Sequence, residues 1–486
     1  MRFSILHISD LHRDLNDEIP NEWLLQSLIN DFDQFDNQDP KILKPSICIV
    51  SGDLVFGVTP NHENADEELK RQYNQAQEFL IGVADRFFDG NRDSIIILPG
   101  NHDISFPDVM ESLQKIDVPN EPGEKRKLVN ELFKQNSKLR WSWADLCFFR
   151  IIDEKKYHER FRYFAEMYKN FYENCRTFPL ECEEQYQVFD FPCLDFSIVA
   201  LNSCHDNDPF HTVGSFQRTT FSRACQALQS SERVGWLVAA AWHHNIVSEP
   251  TKNDYLDAGF LQPLIDSGVS LGFHGHQNLS DCFDERYRSG PNPRKMTIIS
   301  AGTLCAEPRN LMPGVPRSYN IVELDSKELT GRVHQRQMVN HRFDLPLWGP
   351  GHFITTNRSF LDFKICPPLK DRPAHLDLQL ILERVDALMG SHKWADALDI
   401  LETIKEESQA RIFLVKALEE LGDGRRIIND LWPPLTNREV VIVGGAILES
   451  GTEKEVENFM QLDIVSNNKD ASVREVRERI TSRYGK

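Results

Sequence analysis

The chain has 486 residues, too many for one ordinary hydrophobic core, and this length predicts two or three domains. With 40% hydrophobic and 27% charged residues it has the balance of a soluble globular protein, which excludes a disordered or fibrous chain. A net charge of −19 excludes a surface that binds nucleic acid everywhere through counterion release, but leaves room for a local basic groove. No stretch reaches the roughly 18 apolar residues that a membrane helix needs, and Met1 leads straight into an apolar run. No membrane segment or leader is expected. Ten cysteines, scattered singly, predict reduced thiols and a cytoplasmic protein.

In chain order, runs rich in β-branched residues predict strands at Phe3 to Ile8, Ile47 to Val50, Ile95 to Leu98, Phe196 to Leu201, Leu237 to Trp242, Val269 to Phe273, Thr297 to Ile299 and Tyr319 to Leu324. Apolar residues three and four apart predict helices over Glu22 to Phe35 and Ala65 to Phe88 between the first three strands. The outline is α/β, with sheets covered by helices. From 104 to 191 the strand signal gives way to charge and aromatic rings, including Trp141, Trp143, Tyr163, Phe164, Tyr168 and Phe171. This segment reads as a helical insertion or lid whose rings pack it against the body. Lys155, Lys156, Arg160, Arg162 and Lys169 lie among them, the mixture that single-stranded nucleic acid binding uses. Prolines 346, 350, 367, 368 and 373 mark residues 346–373 as a linker after a catalytic domain of 1–345. Helical periodicity over 374–486 predicts an all-α C-terminal domain, whose stretch Ala387 to Leu401 loosely resembles a tetratricopeptide-type hairpin and offers a surface for a protein partner.

Polar clusters follow the predicted strands, where α/β proteins gather their sites. Asp10 and His12 follow the first, Asp53 the second, and Gly100-Asn101-His102-Asp103 the third. His243 and His244 follow the strand ending at Trp242, and His274-Gly275-His276 closes the next. A lone Asp-x-His pair is more often a cap beside a satisfied core histidine. Carboxylate, imidazole and amide groups recurring after three successive strands are not explained that way. Oxygen and nitrogen donors without thiolate suit manganese, iron or zinc.

The ordered set Asp-x-His, Gly-Asp, Gly-Asn-His-Asp, strand-end His and Gly-His resembles the calcineurin-like metallophosphoesterase superfamily over about residues 1 to 330. The resemblance implies a four-layer α-β-β-α sandwich holding two divalent metal ions, with manganese expected and iron or zinc as alternatives. It assigns Asp10 and His12 to the first ion, Asp53 to the bridge, and Asn101, His243 and His276 to the second. His102 falls on the catalytic histidine, with Asp103 as its expected orienting partner. It further implies that the ions clamp a phosphate and activate water while His102 protonates the leaving oxygen or stabilises the transition state. Many members carry Gly-His-x-His, whereas this chain has Asn278 where the last first-metal ligand usually stands. The opening Leu6-His7-Ile8-Ser9-Asp10 is similar to that of Mre11-type nucleases and of bacterial phosphodiesterases. The resulting expectation is a phosphodiesterase acting on a nucleotide or nucleic acid. The alternatives are a phosphomonoesterase acting on a nucleotide or phosphoprotein, and a metal-binding scaffold with little activity.

Overall fold

The computed structural model describes residues 1–14, 19–133, 137–246, 254–285, 294–306, 311, 314–340, 345–353, 356–369, 376–405 and 407–484. Its strands, in chain order, are β1 (Arg2–Ile8), β2 (Ile47–Ser51), β3 (Ile95–Leu98), β4 (Leu113–Ile116), β5 (Leu139–Ser142), β6 (Cys147–Ile151), β7 (Tyr186–Phe191) and β8 (Phe196–Leu201). They continue as β9 (Leu237–Ala241), β10 (Val269–His274), β11 (Asp281–Glu285), β12 (Met296–Ser300), β13 (Ser318–Asp325), β14 (Thr330–Met338), β15 (Trp348–Pro350) and β16 (Phe360–Lys364).

Two sheets form the centre. One has the order β15-β14-β13-β1-β2-β3, with β16 also on β14, and the other the order β11-β12-β10-β9-β8-β7. β1, β2 and β3 run parallel in the first. β8, β9, β10 and β12 run parallel in the second. The four parallel strands of the second sheet are buried on both faces, and their period-two alternation divides them between two cores. Ile198, Ala239, Ala241, Leu271 and Phe273 face the core shared with β1 to β3. Val199, Leu201, Val238, Ala240 and Trp242 face a second core closed by the helices Arg218–Leu228 and Leu261–Asp266. The first sheet is covered by Asn21–Phe32 and Ala65–Phe87, so the layers are α-β-β-α. The strands expected from apolar runs form within one or two residues of their expected ends, because those runs are the buried ones.

Two expectations need correction. The segment 104–191 is not purely helical: β4, β6 and β5 make a separate three-stranded sheet, and β7 already belongs to the edge of the second main sheet. Charged residues such as Lys115, Arg140 and Arg150 within these strands dilute the apolar signal. The helical part is real, and Phe161, Phe164, Tyr168 and Phe171 are buried in the body rather than available to stack on bases. Of the interleaved cations, Arg160 is buried, while Lys156 and Arg162 pair with Asp108. The residues taken for a linker are also not one. β15 and β16 hydrogen-bond to β14, with Trp348 Nε1 donating to Ser27 Oγ at 2.8 Å. Proline suits such edge positions because it has no N–H to lose. The boundary expected at 374 lies outside the described residues.

The C-terminal helices, from Leu376–Gly390 to Ala471–Tyr484, enclose their own core around Leu382, Leu398, Phe413, Leu418, Val443, Ile447, Phe459 and Ile480. They dock on the body through the helix Arg218–Leu228, where Arg223 pairs with Glu383 at 2.9 Å and Thr219 Oγ1 donates to Asp386 at 3.1 Å. Among the described residues no helix is long and apolar enough to cross a membrane.

Glu323 of β13 ties three elements together. It accepts from Arg2 of β1 and from the Leu43 N–H at 2.8 Å, and lies 3.5 Å from His334 of β14. Burial opposes its charge, yet the nearby His334 and the bonds from Arg2 and Leu43 bring its carboxyl down to about 2 from 4.5. A depressed folded pKa gives stability that is present above the unfolded value and lost as pH falls through the folded one, here from 4.5 to about 2. Glu323→Gln should therefore cost on the order of 2 to 3 kcal/mol in urea unfolding at pH 7. The deficit should shrink as the pH is lowered through that window. A deficit that stays constant there would sink the ion-pair account.

Candidate metal centre

The carboxyl ends of β1, β2 and β3 meet those of β9 and β10, and the polar clusters lie on the turns that leave them. Beyond β1 the chain continues alongside β2, with Asp10 N donating to Gly52 O and His12 N to Asp53 O, both at 3.0 Å. Asp10, His12, Asp53, His276 and Asn278 all have a left-handed backbone, with φ between 44° and 69°. Such a conformation costs a residue other than glycine roughly 1 kcal/mol or more, and it persists only where surrounding structure enforces it. Glycine is required where backbones touch the carboxylates. A Cβ on Gly100 would overlap the Asp53 carboxylate, and one on Gly275 would overlap Ser9 Oγ and sit 2.9 Å from Asp10 Oδ2.

The side chains converge. His12 Nε2 lies 3.6 Å from Asp10 Oδ1 and 3.7 Å from Asp53 Oδ2. His243 Nε2 lies 3.4 Å from the same Asp53 oxygen, 2.9 Å from Asn101 Oδ1 and 3.2 Å from His276 Nδ1. The His276 backbone N–H donates to Asp10 Oδ2 at 3.2 Å, which ties the β10 turn to the β1 turn. Among the described residues two groups have the spacing to hold an ion, His12 with Asp53 and His102, and Asp53 with His243 and His276. Asp53 is common to both.

The donor set fits cations. His243 Nδ1 donates to the Ser51 carbonyl at 2.8 Å, so a neutral ring turns its Nε2 lone pair toward the lone pairs of Asn101 Oδ1 and Asp53. Acceptors facing acceptors need a proton or a cation between them. Burial disfavours the charged ring, but the Asp53 and Asp10 carboxylates raise His243 to about 9. Asp53 itself is held well below the usual carboxylate range, because His243 and His102 outweigh its burial. The amide oxygen of Asn278 is buried and has no hydrogen-bond partner among the described residues, as suits a neutral ligand.

His102 and Asp103 are not partners. His102 Nδ1 bonds the Phe56 carbonyl at 2.8 Å, and its backbone N–H donates to Asp53 Oδ1 at 2.8 Å. Because a carbonyl only accepts, Nδ1 carries the proton and Nε2 is free of it in the neutral ring. Asp103 instead accepts from the N–H groups of Leu54 at 3.2 Å and Gly100 at 2.8 Å, and from the Tyr73 hydroxyl at 3.2 Å. Burial and the Asp53 charge push its carboxyl up to about 7. Asp103 shapes the loop, and the orienting role expected of it belongs to Phe56. His244 and His274 lie behind the site, both fully buried and with burial depressing their pKa. Ser203 was not foreseen: its hydroxyl accepts from the backbone N–H of His243 at 3.1 Å and of His244 at 3.2 Å. Asp254, also unforeseen, places Oδ2 3.3 Å from His276 Nε2.

Residues 3–278, more than half of the chain, match the family model described as calcineurin-like phosphoesterase. The chain belongs to the calcineurin-like phosphoesterases. This phosphoesterase is thus in a family that hydrolyses phosphoesters with two divalent metal ions. Among solved structures it is similar to the calcineurin-like phosphoesterase YfkN from Bacillus subtilis, at 9% identity and a TM-score of 0.27, over 80% of this chain and 98% of that one. No curated protein matches the phosphoesterase.

Proposed function

We propose that this phosphoesterase is a dinuclear phosphodiesterase, acting on a nucleotide or nucleic acid with manganese as its metal. The observation that carries this reading is Asp53, whose single carboxylate lies against both groups of metal-binding geometry. In it, Asp10, His12 and Asp53 would hold one ion, with Asn278 as a fourth, neutral ligand, and Asp53, Asn101, His243 and His276 would hold the other. When bound, the ions supply charge to the phosphate oxygens and lower the pKa of water. Everything else falls to the chain. Asn101 and Asn278 donate oxygen without adding negative charge that would repel phosphate. The Ser51 and Phe56 carbonyls fix the rings of His243 and His102. In its imidazolium form His102 would present Nε2–H to the site and give that proton to the leaving oxygen, returning to the neutral ring whose Nδ1–H stays on the Phe56 carbonyl.

The diester preference is supported by the likeness of the chain's opening to nucleases and phosphodiesterases. The nucleotide or nucleic acid preference is supported by the insertion that borders the centre. Its Phe149 stacks on Phe210 at 4.9 Å, and its Arg140 bonds Asp206 and Asp208, in the segment that begins at Ser203. Trp143, 82% exposed at the tip of the β5–β6 hairpin, is a ring available for stacking, as is Phe133 at 77%. Ten free cysteines support a reducing compartment such as the cytoplasm. The C-terminal helices serve as the site of a protein partner in this reading.

Hydrolysis of bis-p-nitrophenyl phosphate and p-nitrophenyl phosphate with added manganese tests it. The diester should turn over faster, and a chelator should abolish both activities until manganese is restored. A monoester preference would replace the diester reading with a phosphatase. Two bound ions without turnover of either ester would favour the scaffold.

A further inference from the structure

His276 is held from both sides. Its Nδ1 lies 3.2 Å from His243 Nε2, inside the centre, and its Nε2 lies 3.3 Å from Asp254 Oδ2, outside it. An imidazole that gives its Nε2 proton to a carboxylate keeps the Nδ1 lone pair for a metal, and the carboxylate makes that nitrogen a stronger donor.

The segment carrying Asp254 is itself clamped. Leu256 is fully buried, with its N–H donating to Asn245 O at 2.7 Å, and Tyr255 O accepts from Gly214 N at 3.2 Å. Asp257 Oδ1 accepts from Gly259 N at 2.9 Å, while Oδ2 accepts from Arg438 Nη1 at 2.8 Å. Arg438 stands in the helix Asn437–Ser450, and its Nη2 donates to Glu419 of the helix Ser408–Leu421 at 2.6 Å. Asp470, at the start of the last helix, is close enough to act on the Tyr255 hydroxyl, which burial and this carboxylate push upward. Two helices thus grip the segment through one guanidinium, and a third adds a charge beside it.

We infer that Asp254 is a positioning residue for His276, and that the C-terminal helices act on the metal centre by holding Asp254 in place through Arg438 and Asp257. The inference rests on the assignment of His276 as a ligand. It gives the helical region a defined route to the site: a partner that draws Arg438 away from Asp257 loosens the second ion.

Manganese titration calorimetry on the metal-free full-length protein tests this, with thermal unfolding of the metal-free form as the control. The wild type should bind two ions. Asp254→Ala should weaken one of them by about 10- to 100-fold and leave metal-free unfolding unchanged. Arg438→Ala should weaken the same ion by about 2- to 5-fold, as befits a partly exposed ion pair, and Arg438→Lys should recover most of that loss. Because both act along one route, the double variant should be no weaker than Asp254→Ala alone. If Asp254→Ala does not fold, Asp254→Asn, which preserves shape, should show a smaller loss in the same ion. A wild type that binds fewer than two ions would overturn the metal assignment itself. Two ions bound equally well by the wild type and the Asp254 variants would overturn this inference alone, and additive losses would cut Arg438 out of the route.

Discussion

Asp53→Asn should lower kcat/KM for bis-p-nitrophenyl phosphate by about 10³-fold or more, a loss of roughly 4 kcal/mol in transition-state stabilisation. Asp53 Oδ2 stands 3.7 Å from His12 Nε2 and 3.4 Å from His243 Nε2, so one oxygen addresses both candidate metal positions. Asparagine has the same shape, and its Oδ1 can still accept the His102 N–H that Asp53 Oδ1 accepts at 2.8 Å. The substitution therefore removes one negative charge and replaces an oxygen lone pair by an N–H₂, which repels a cation. Bound manganese, measured by elemental analysis after dialysis, should fall from two per chain toward one or none. The metal-free variant should still unfold cooperatively. An Asp53→Asn protein that retains both ions and its rate would remove the bridge from the mechanism.

The candidate site was legible because its side chains lie in short motifs that directly follow apolar runs. An apolar run of four to six residues specifies a buried strand, and a buried parallel strand has to release its chain at the carboxyl end where sites form. Asp10, Asp53 and Asn101 could thus be placed relative to one another before any contact was known. The partners that set ring orientation could not. The Ser51 and Phe56 carbonyls are backbone groups, and every residue has one, so no residue type marks them. Asp103 misled for a related reason. Its neighbour His102 turns away from it to reach Phe56, and adjacency along the chain says nothing about which way two side chains point in a 3₁₀ turn.

Asp254 was hidden by the topology. It is separated from His276 by a helix and the whole of β10, and only the parallel arrangement of β9 and β10 brings the two turns together. The left-handed backbones of Asp10, His12, Asp53, His276 and Asn278 are likewise a property of the closed site. Local preference runs against them, and tertiary contacts such as the His276 N–H to Asp10 bond enforce them. β15 and β16 were lost among prolines that normally end structure, although the same residues are tolerated on a sheet edge.

His102→Ala should separate proton transfer from metal binding. Its Nδ1–H bond to Phe56 leaves Nε2 as the only nitrogen that can exchange a proton with a bound ester, and the ring sits edge-on to His12 at 4.7 Å. A positioned general acid contributes about 10²- to 10⁴-fold, and kcat should fall by that range for a diester with a basic leaving group such as phenolate. With p-nitrophenolate, which departs without a proton, the loss should be much smaller, and the difference between the two substrates measures the proton transfer itself. Equal losses on both would assign His102 to stabilising charge on the phosphate. Manganese stoichiometry decides a further point, because His102 has the spacing to join His12 and Asp53 around an ion. Two ions retained in His102→Ala would make it an acid that stands beside the metals, whereas the loss of one would make it a ligand and leave the leaving group to depart on metal charge alone.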